Sequence, residues 1–355
     1  MFSVEKTDLF NILKRTKGVL AKHSIQPVLG CYKIDVANNA IKVTATDLDN
    51  QISGSCVART EEDLSFCVDG FKFTEIVNIL DGIITFEVED GKLLIKCGRT
   101  KYKMLMLEAD EFPKDMTDFE YTSTELPKTF VSKVKQTIFC TSTVDSRNVI
   151  SGVCFDIDDC KLNLVATDGN RLSVATVDVE NIENNRFVVP QRILGELIKS
   201  EYDSIFIGFG ENKVMFIADN MMFVTKIING EYPQYKQLLP KSFSGITKLD
   251  KNEFKEALSR TCIMINEKTQ RVTFKINKNS VRMCSENADF GTSSDCIDVL
   301  TSTIDEELTI CFNSNYINDY LNNSKEDEIK FCTNGANSAT MIQGDFDYLV
   351  MPLKV

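Results

Sequence analysis

The chain has one histidine, His23, no tryptophan and seven prolines in 355 residues. A lone imidazole cannot build a multi-histidine metal site and gives a Ser–His–Asp triad a single place to form, so both are disfavoured. No G-x-G-x-x-G or G-x-x-x-x-G-K-[ST] stretch is present to cradle phosphates. The twelve cysteines never form a C-x-x-C pair, the spacing that zinc and redox sites need. Most stand in apolar runs such as GSCVA (Cys56) and GVCFDI (Cys154), where a thiol acts as a small hydrophobe. Free structural thiols in a reducing, cytoplasmic compartment are the expectation. No apolar run approaches the roughly 18 residues of a membrane span, and the opening MFSVEKTDLF lacks a basic-then-apolar leader pattern. Neither a membrane partner nor a cofactor or metal is expected.

What remains is an ordinary globular balance, 43% apolar and 26% charged residues, on a chain long enough for two or three domains. Its main signal is repetition. IKVTATDLDNQISGSC from Ile41, LNLVATDGNRLSVATV from Leu162 and VRMCSENADFGTSSDC from Val281 each read as an alternating strand, a polar turn and a second alternating strand. Asp47, Asp168 and Asn287 share the turn position, at intervals of 121 and 119 residues. A helical stretch opens each unit, from Lys6, Lys128 and Lys251, and a second follows mid-unit, from Phe71, Pro190 and Asn313. Pro190 suits a helix start and Asn313 an N-cap. Strand pairs close the units, one of them around Asp90-Gly91. The expected fold is α+β: three repeated domains at 1–120, 125–243 and 246–355, joined by polar linkers near 115–125 and 241–248. Each would hold two helices packed on about eight antiparallel strands.

The net charge is −12, which taken alone disfavours nucleic acid. Its distribution does not. Lys6, Lys14, Arg15, Lys17 and Lys22 face only Asp8 within residues 6–22, and Lys128, Lys133 and Lys135 stand without an acid in 126–135. Acid gathers in turns such as EED (61–63) and KEDE (325–328). Basic helices on an acidic body suit a protein that meets phosphate on one surface and repels it elsewhere; a solvated helix face is the plainer alternative.

LVATDGNRLSVA (164–175), QPVLG (26–30), TATDLD (44–49), LEADEFP (107–113), NGEYPQY (229–235) and the terminal YLVMPLKV together resemble the bacterial DNA polymerase III β sliding-clamp family over essentially the whole chain. The resemblance implies a non-catalytic, head-to-tail homodimeric ring. It would encircle double-stranded DNA without reading sequence, and would dock the polymerase catalytic subunit, the clamp loader and other proteins bearing a clamp motif. It implies a peptide groove of Ile150, Thr167, Gly169, Asn170, Arg171, Leu172, Pro233, Gln237 and Leu238, completed by Leu349, Val350, Met351, Pro352 and Leu353. DNA contacts would come from Lys17, Lys22, His23, Lys133, Lys135, Arg147 and Arg192. Tyr102 and Met104 would meet the partner's Ile263 and Met264 across the dimer interface. Asn170, Gln237 and the Lys354-Val355 ending depart from the family's usual residues.

A size argument agrees. Six helices packed about 10 Å apart around a ring leave a hole of roughly 9 Å, too narrow for a duplex, whereas twelve leave roughly 28 Å. Two copies can encircle DNA and one cannot. Two alternatives stay open at this level: an enzyme using Asp47 or Asp168 as acid or base, and a scaffold that binds only protein.

Overall fold

The computed structural model describes residues 1–144 and 148–354. Among them are six α-helices: α1 Lys6–Thr16, α2 Gly70–Ile79, α3 Phe130–Ile138, α4 Gln191–Leu197, α5 Lys251–Thr261 and α6 Ser314–Asn323. Each follows one strand and precedes three more. Apart from the two-residue strands Arg59–Thr60, Leu107–Glu108 and Thr301–Ser302, the chain is therefore a β-α-β-β-β module written six times, two modules to each sequence repeat.

Helix starts follow from the strand ends. Asp69, Asp250 and Asn313 each stop a strand and cap the next helix, their side chains accepting from the N–H of Lys72, Glu253 and Asn315 respectively. Pro190 is instead the last residue of the Asn185–Pro190 strand, and α4 begins at Gln191. The first basic stretch is also shorter than its composition suggests. α1 stops at Thr16 and tightens into a 3₁₀ turn at Lys17–Val19, so Lys22 and His23 lie in a loop. The Asp90-Gly91 turn has both residues in the left-handed region, at φ 50° and 69°, the geometry that a two-residue hairpin needs.

The chain divides into two compact units that cut across the sequence repeats. The first holds residues 1–128 and 192–227, the second 129–191 and 228–355. In the first unit, the strand Asn50–Val57 pairs antiparallel with Met221–Lys226, joining strands of the first and second repeats into one nine-stranded sheet. In the second, Arg171–Asp178 pairs the same way with Asp347–Val350 in another nine-stranded sheet. The middle repeat is shared because each half of it is hydrogen-bonded to a different neighbour.

The helices pack their apolar faces on these sheets. Leu9, Ile12 and Leu13 of α1 are fully buried, as are Phe254, Ala257 and Leu258 of α5; full burial of a large aliphatic or aromatic side chain contributes about 1.5–3 kcal/mol. Six cysteines are buried, and burial pushes the Cys31 thiol up to about 11 and Cys67 to about 12. The first linker is less polar than expected. Phe119 and Tyr121 lie where Gly210 and Gly208 leave no room for a Cβ.

Candidate docking groove, nucleic-acid surface and interface edges

The repeated turn is held by its own side chains. Asp47 Oδ1 accepts from the N–H of Asp49 (3.0 Å) and Asn50 (2.7 Å). Asp168 Oδ1 accepts from Asn170 (2.9 Å) and Arg171 (3.2 Å), and Asn287 Oδ1 from Asp289 (3.0 Å). Thr46 and Thr167 add matching bonds, each accepting from an N–H two residues on and donating to a carbonyl four residues on. A carboxylate in two copies and an amide in the third perform one structural task, so the repeated aspartates are turn residues.

Beside this turn in the second unit lies an apolar cluster, mostly buried and open at its partly buried margin. Ile150, Leu172 and Leu349 come together there with Val165, Val174, Tyr232, Tyr235 and Met341, and Val149, Ile228, Leu239 and Phe243 are partly buried against them. The two tyrosines turn their rings to this cluster and satisfy their hydroxyls within the fold. Tyr232 donates to the Val165 carbonyl (3.2 Å) and Tyr235 to Asp156 Oδ2 (2.6 Å), which Lys236 Nζ also approaches (3.2 Å). Burial first, then in Tyr235 the Asp156 carboxylate, holds both phenols well above their usual range. On the rim, Pro233 and Gln237 are exposed, Leu238 is 54% exposed and Met351 46%.

The C-terminal segment is built into the sheet. Asp347–Val350 is an interior strand, with Val350 fully buried, so the tail is not an edge strand. Beyond it, the Met351 N–H donates to the Asn170 carbonyl (2.9 Å) and the Leu353 N–H to the Cys311 carbonyl (2.8 Å). Those two bonds leave the Met351 side chain exposed and Pro352 and Leu353 half-buried.

Arg171 does not join the groove through its side chain. Alternation along the strand sends Leu172 into the apolar cluster and Arg171 to the opposite face. There the guanidinium bonds Asp168 Oδ2 (2.9 Å), Asp319 and the Phe139 carbonyl (2.9 Å), between the rings of Tyr316 and Phe139. The Thr167 hydroxyl is likewise spent on the turn, and Gly169 and Asn170 are exposed beside it, their N–H groups and the Asn170 carbonyl bonded within the fold. Tyr232, Tyr235, Val174, Leu239 and Phe243 were not singled out from sequence. NGEYPQY carried the only signal, two aromatics flanking a proline.

The basic residues divide. Lys17, Lys22, His23 and Lys135 are exposed, Lys17 with its ammonium over the Phe71 ring (5.9 Å). Lys133 is half-buried and donates to the Asp345 carbonyl (2.6 Å). Arg192 pairs with Asp47 Oδ2 (2.6 Å) and donates to the Gly18 carbonyl (3.1 Å), so it braces the repeated turn. Arg147 lies outside the described residues.

Tyr102 and Met104 are half-buried on Thr100–Leu105, an edge strand of the first unit's five-stranded sheet. In the second unit, Ile263 is 77% exposed in the 3₁₀ turn Cys262–Met264, with Met264 half-buried beside it. That turn adjoins Gly291–Asp298, an edge strand of the four-stranded sheet. No helix among the described residues is long and apolar enough to cross a membrane.

Comparison with known proteins matches the chain to three domain families in order. They are the DNA polymerase III beta subunit N-terminal domain over residues 1–117, central domain over 126–234 and C-terminal domain over 236–354. The beta sliding clamp of Haemophilus influenzae is 27% identical over 367 residues, covering both chains completely, and that of Escherichia coli K12 is 25% identical over 369. The crystal structure of the DNA polymerase sliding clamp from Bacillus subtilis superposes with a TM-score of 0.94 at 23% identity, covering 100% of this chain and 99% of that one. The DNA polymerase III beta subunit from Thermotoga maritima gives 0.92 at 24% identity, with both chains fully covered.

Proposed function

The chain belongs to the DNA polymerase III beta-subunit family, and from that premise we propose how its own residues make it a DNA sliding clamp, with clamp domains at 1–120, 125–243 and 246–355. It is a non-catalytic processivity subunit of bacterial replication. It encircles duplex DNA as a homodimer and docks polymerase and clamp loader, in the bacterial cytoplasm.

One observation carries the ring reading. Inside the chain, the last strand of an odd-numbered module pairs with the last strand of an even-numbered one at two junctions, Asn50–Val57 with Met221–Lys226 and Arg171–Asp178 with Asp347–Val350. The third copies of these two partners are Gly291–Asp298 and Thr100–Leu105, and both are sheet edges. An exposed edge with free N–H and C=O groups is a template for another strand. Two chains meeting head to tail satisfy both edges twice and close on a two-fold axis. Carrying over the register of Asn50 with Thr225 and Arg171 with Val350 sets Met104 opposite Gly291 of the partner subunit. Tyr102, Met104, Ile263 and Met264 then supply the apolar contact. Ile263→Asp tests this with little risk to the fold, since the side chain is exposed. Sedimentation should move from near twice 40.0 kDa to the single-chain mass at micromolar concentration; an unchanged dimer would contradict the assignment.

Lys17, Lys22, His23 and Lys135, exposed among the described residues, are the first groups for the DNA backbone, with Lys133, Arg147 and Arg192 as supporting candidates. Such contacts read phosphate rather than sequence. They are screened by salt, so they can exchange as the ring slides while topology provides retention. The groove takes a partner peptide on Ile150, Leu172, Leu238, Leu349, Met351 and Leu353, rimmed by Gly169, Asn170, Pro233, Gln237 and Pro352. Thr167, Arg171 and Val350 hold it in shape. A flexible apolar rim around rigid aromatic rings can repack around more than one motif.

A further inference from the structure

A depression lies at the repeat-equivalent junction of the first unit. Ile52 and Gly54 point toward α1, where a Cβ on Gly54 would strike Met221 and then Ile12. On the other face of that sheet, Asn50–Val57 and Met221–Lys226 meet beside a cavity of about 330 Å³. Ile217 and Met222 give it apolar walls, Ser53 and Ser55 hydroxyls, and Lys42 and Asp219 charge. The junction copies the one that forms the docking groove. The Lys226 N–H donates to the Asp49 carbonyl (2.9 Å) as Met351 does to Asn170 (2.9 Å). Asn50 lies opposite Thr225 as Arg171 lies opposite Val350. Ser53 and Val224 therefore occupy the places of Val174 and Leu349.

We propose that this cavity is a second peptide-docking site, for a short segment carrying an aliphatic side chain next to a carboxylate. Charge decides the class. Lys42 Nζ is 3.5 Å from Asp115 Oδ2, with both side chains over 40% exposed. Asp115 does not depend on it: Gln51 Nε2 (2.7 Å), the Thr117 N–H (2.9 Å) and the Thr117 hydroxyl (2.8 Å) all donate to that carboxylate. Turning the ammonium to an incoming carboxylate leaves Asp115 Oδ2 to solvent, where the side chain is 46% exposed, while Oδ1 keeps its three donors. Asp219 keeps its negative charge while accepting from the N–H groups of Asp203 (3.1 Å) and Ser204 (3.2 Å), so Lys42 is the group of the lining that an incoming carboxylate can meet. Ile217 and the adaptable thioether of Met222 receive the aliphatic side chain.

The inference rests on the groove reading only for its analogy, and one experiment separates the two. In the intact dimer with ¹³C-methyl methionine, Met222 reports the new site and Met351 the groove. The probe is N-acetyl-Leu-Leu with a free carboxylate. The Met222 methyl should shift and saturate at millimolar probe. The C-terminal amide of the probe and the Lys42→Ala variant should each weaken that response at least fivefold. Ser55→Trp, at an exposed position, should block it while leaving the Met351 response intact. A Met351 response without one at Met222 overturns this proposal and leaves the groove standing. Equal Met222 responses to acid and amide overturn the carboxylate class, and silence at both methyls overturns the second site and counts against the first.

Discussion

Removing residues 351–355 lowers affinity for a clamp-binding peptide by at least about 100-fold, a loss of the size seen when a central hot spot is truncated, and leaves the dimer intact. Met351 supplies an exposed thioether at the groove rim, and the Met351–Asn170 and Leu353–Cys311 backbone bonds fix the path of the tail. The strand Asp347–Val350 and its pairing with Arg171–Asp178 lie before the cut, so the sheet survives. Fluorescence anisotropy with a labelled peptide reads the affinity, and sedimentation reads the dimer. Unchanged peptide affinity would remove the groove assignment. Loss of the dimer would show that the tail has a wider structural role.

Arg171→Ala should cost about 3–5 kcal/mol in the stability of the second unit, the range for breaking a buried ion pair from one side. The side chain is only 10% exposed, and its guanidinium holds Asp168 on its own strand turn, Asp319 on α6 and the carbonyl of Phe139 at the end of α3. Removing it takes a shared cation from beside both carboxylates and breaks the tie between the turn, α3 and α6. Arg171→Lys should recover little, because an ammonium cannot reproduce three divergent bonds and a sandwich between two rings. Urea unfolding followed by tyrosine fluorescence measures both variants. A cost under about 1 kcal/mol for Arg171→Ala would mean that the network adds little to the junction.

The three-fold repeat was legible because the Asp47, Asp168 and Asn287 turns need a side-chain acceptor at one position, and that requirement survives while strand residues drift. The six-fold β-α-β-β-β module was not. Any apolar residue serves a strand that packs under a helix, so nothing in the letters ties α1 to α2. The halving of the middle repeat was hidden for a related reason: backbone pairing between Asn50–Val57 and Met221–Lys226 leaves no signature in side chains 167 to 175 positions apart. The docking site was half legible. The family resemblance pointed to the turn and the tail, but strand alternation alone decides that Leu172 faces the groove and Arg171 the opposite side. The basic count overstated the free cations. Arg192 and Lys133 find their partners, Asp47 and the Asp345 carbonyl, through the fold, and charge composition cannot show pairings so distant in sequence.

Topology is tested most directly by loading the protein onto a nicked circular plasmid and then cutting the circle once. A closed dimeric ring stays on the circle through a moderate-salt wash and leaves within minutes of linearisation, by sliding off the ends. Equal retention on the circle and on the linear product would mean that surface contacts hold it, and the ring would have to be abandoned.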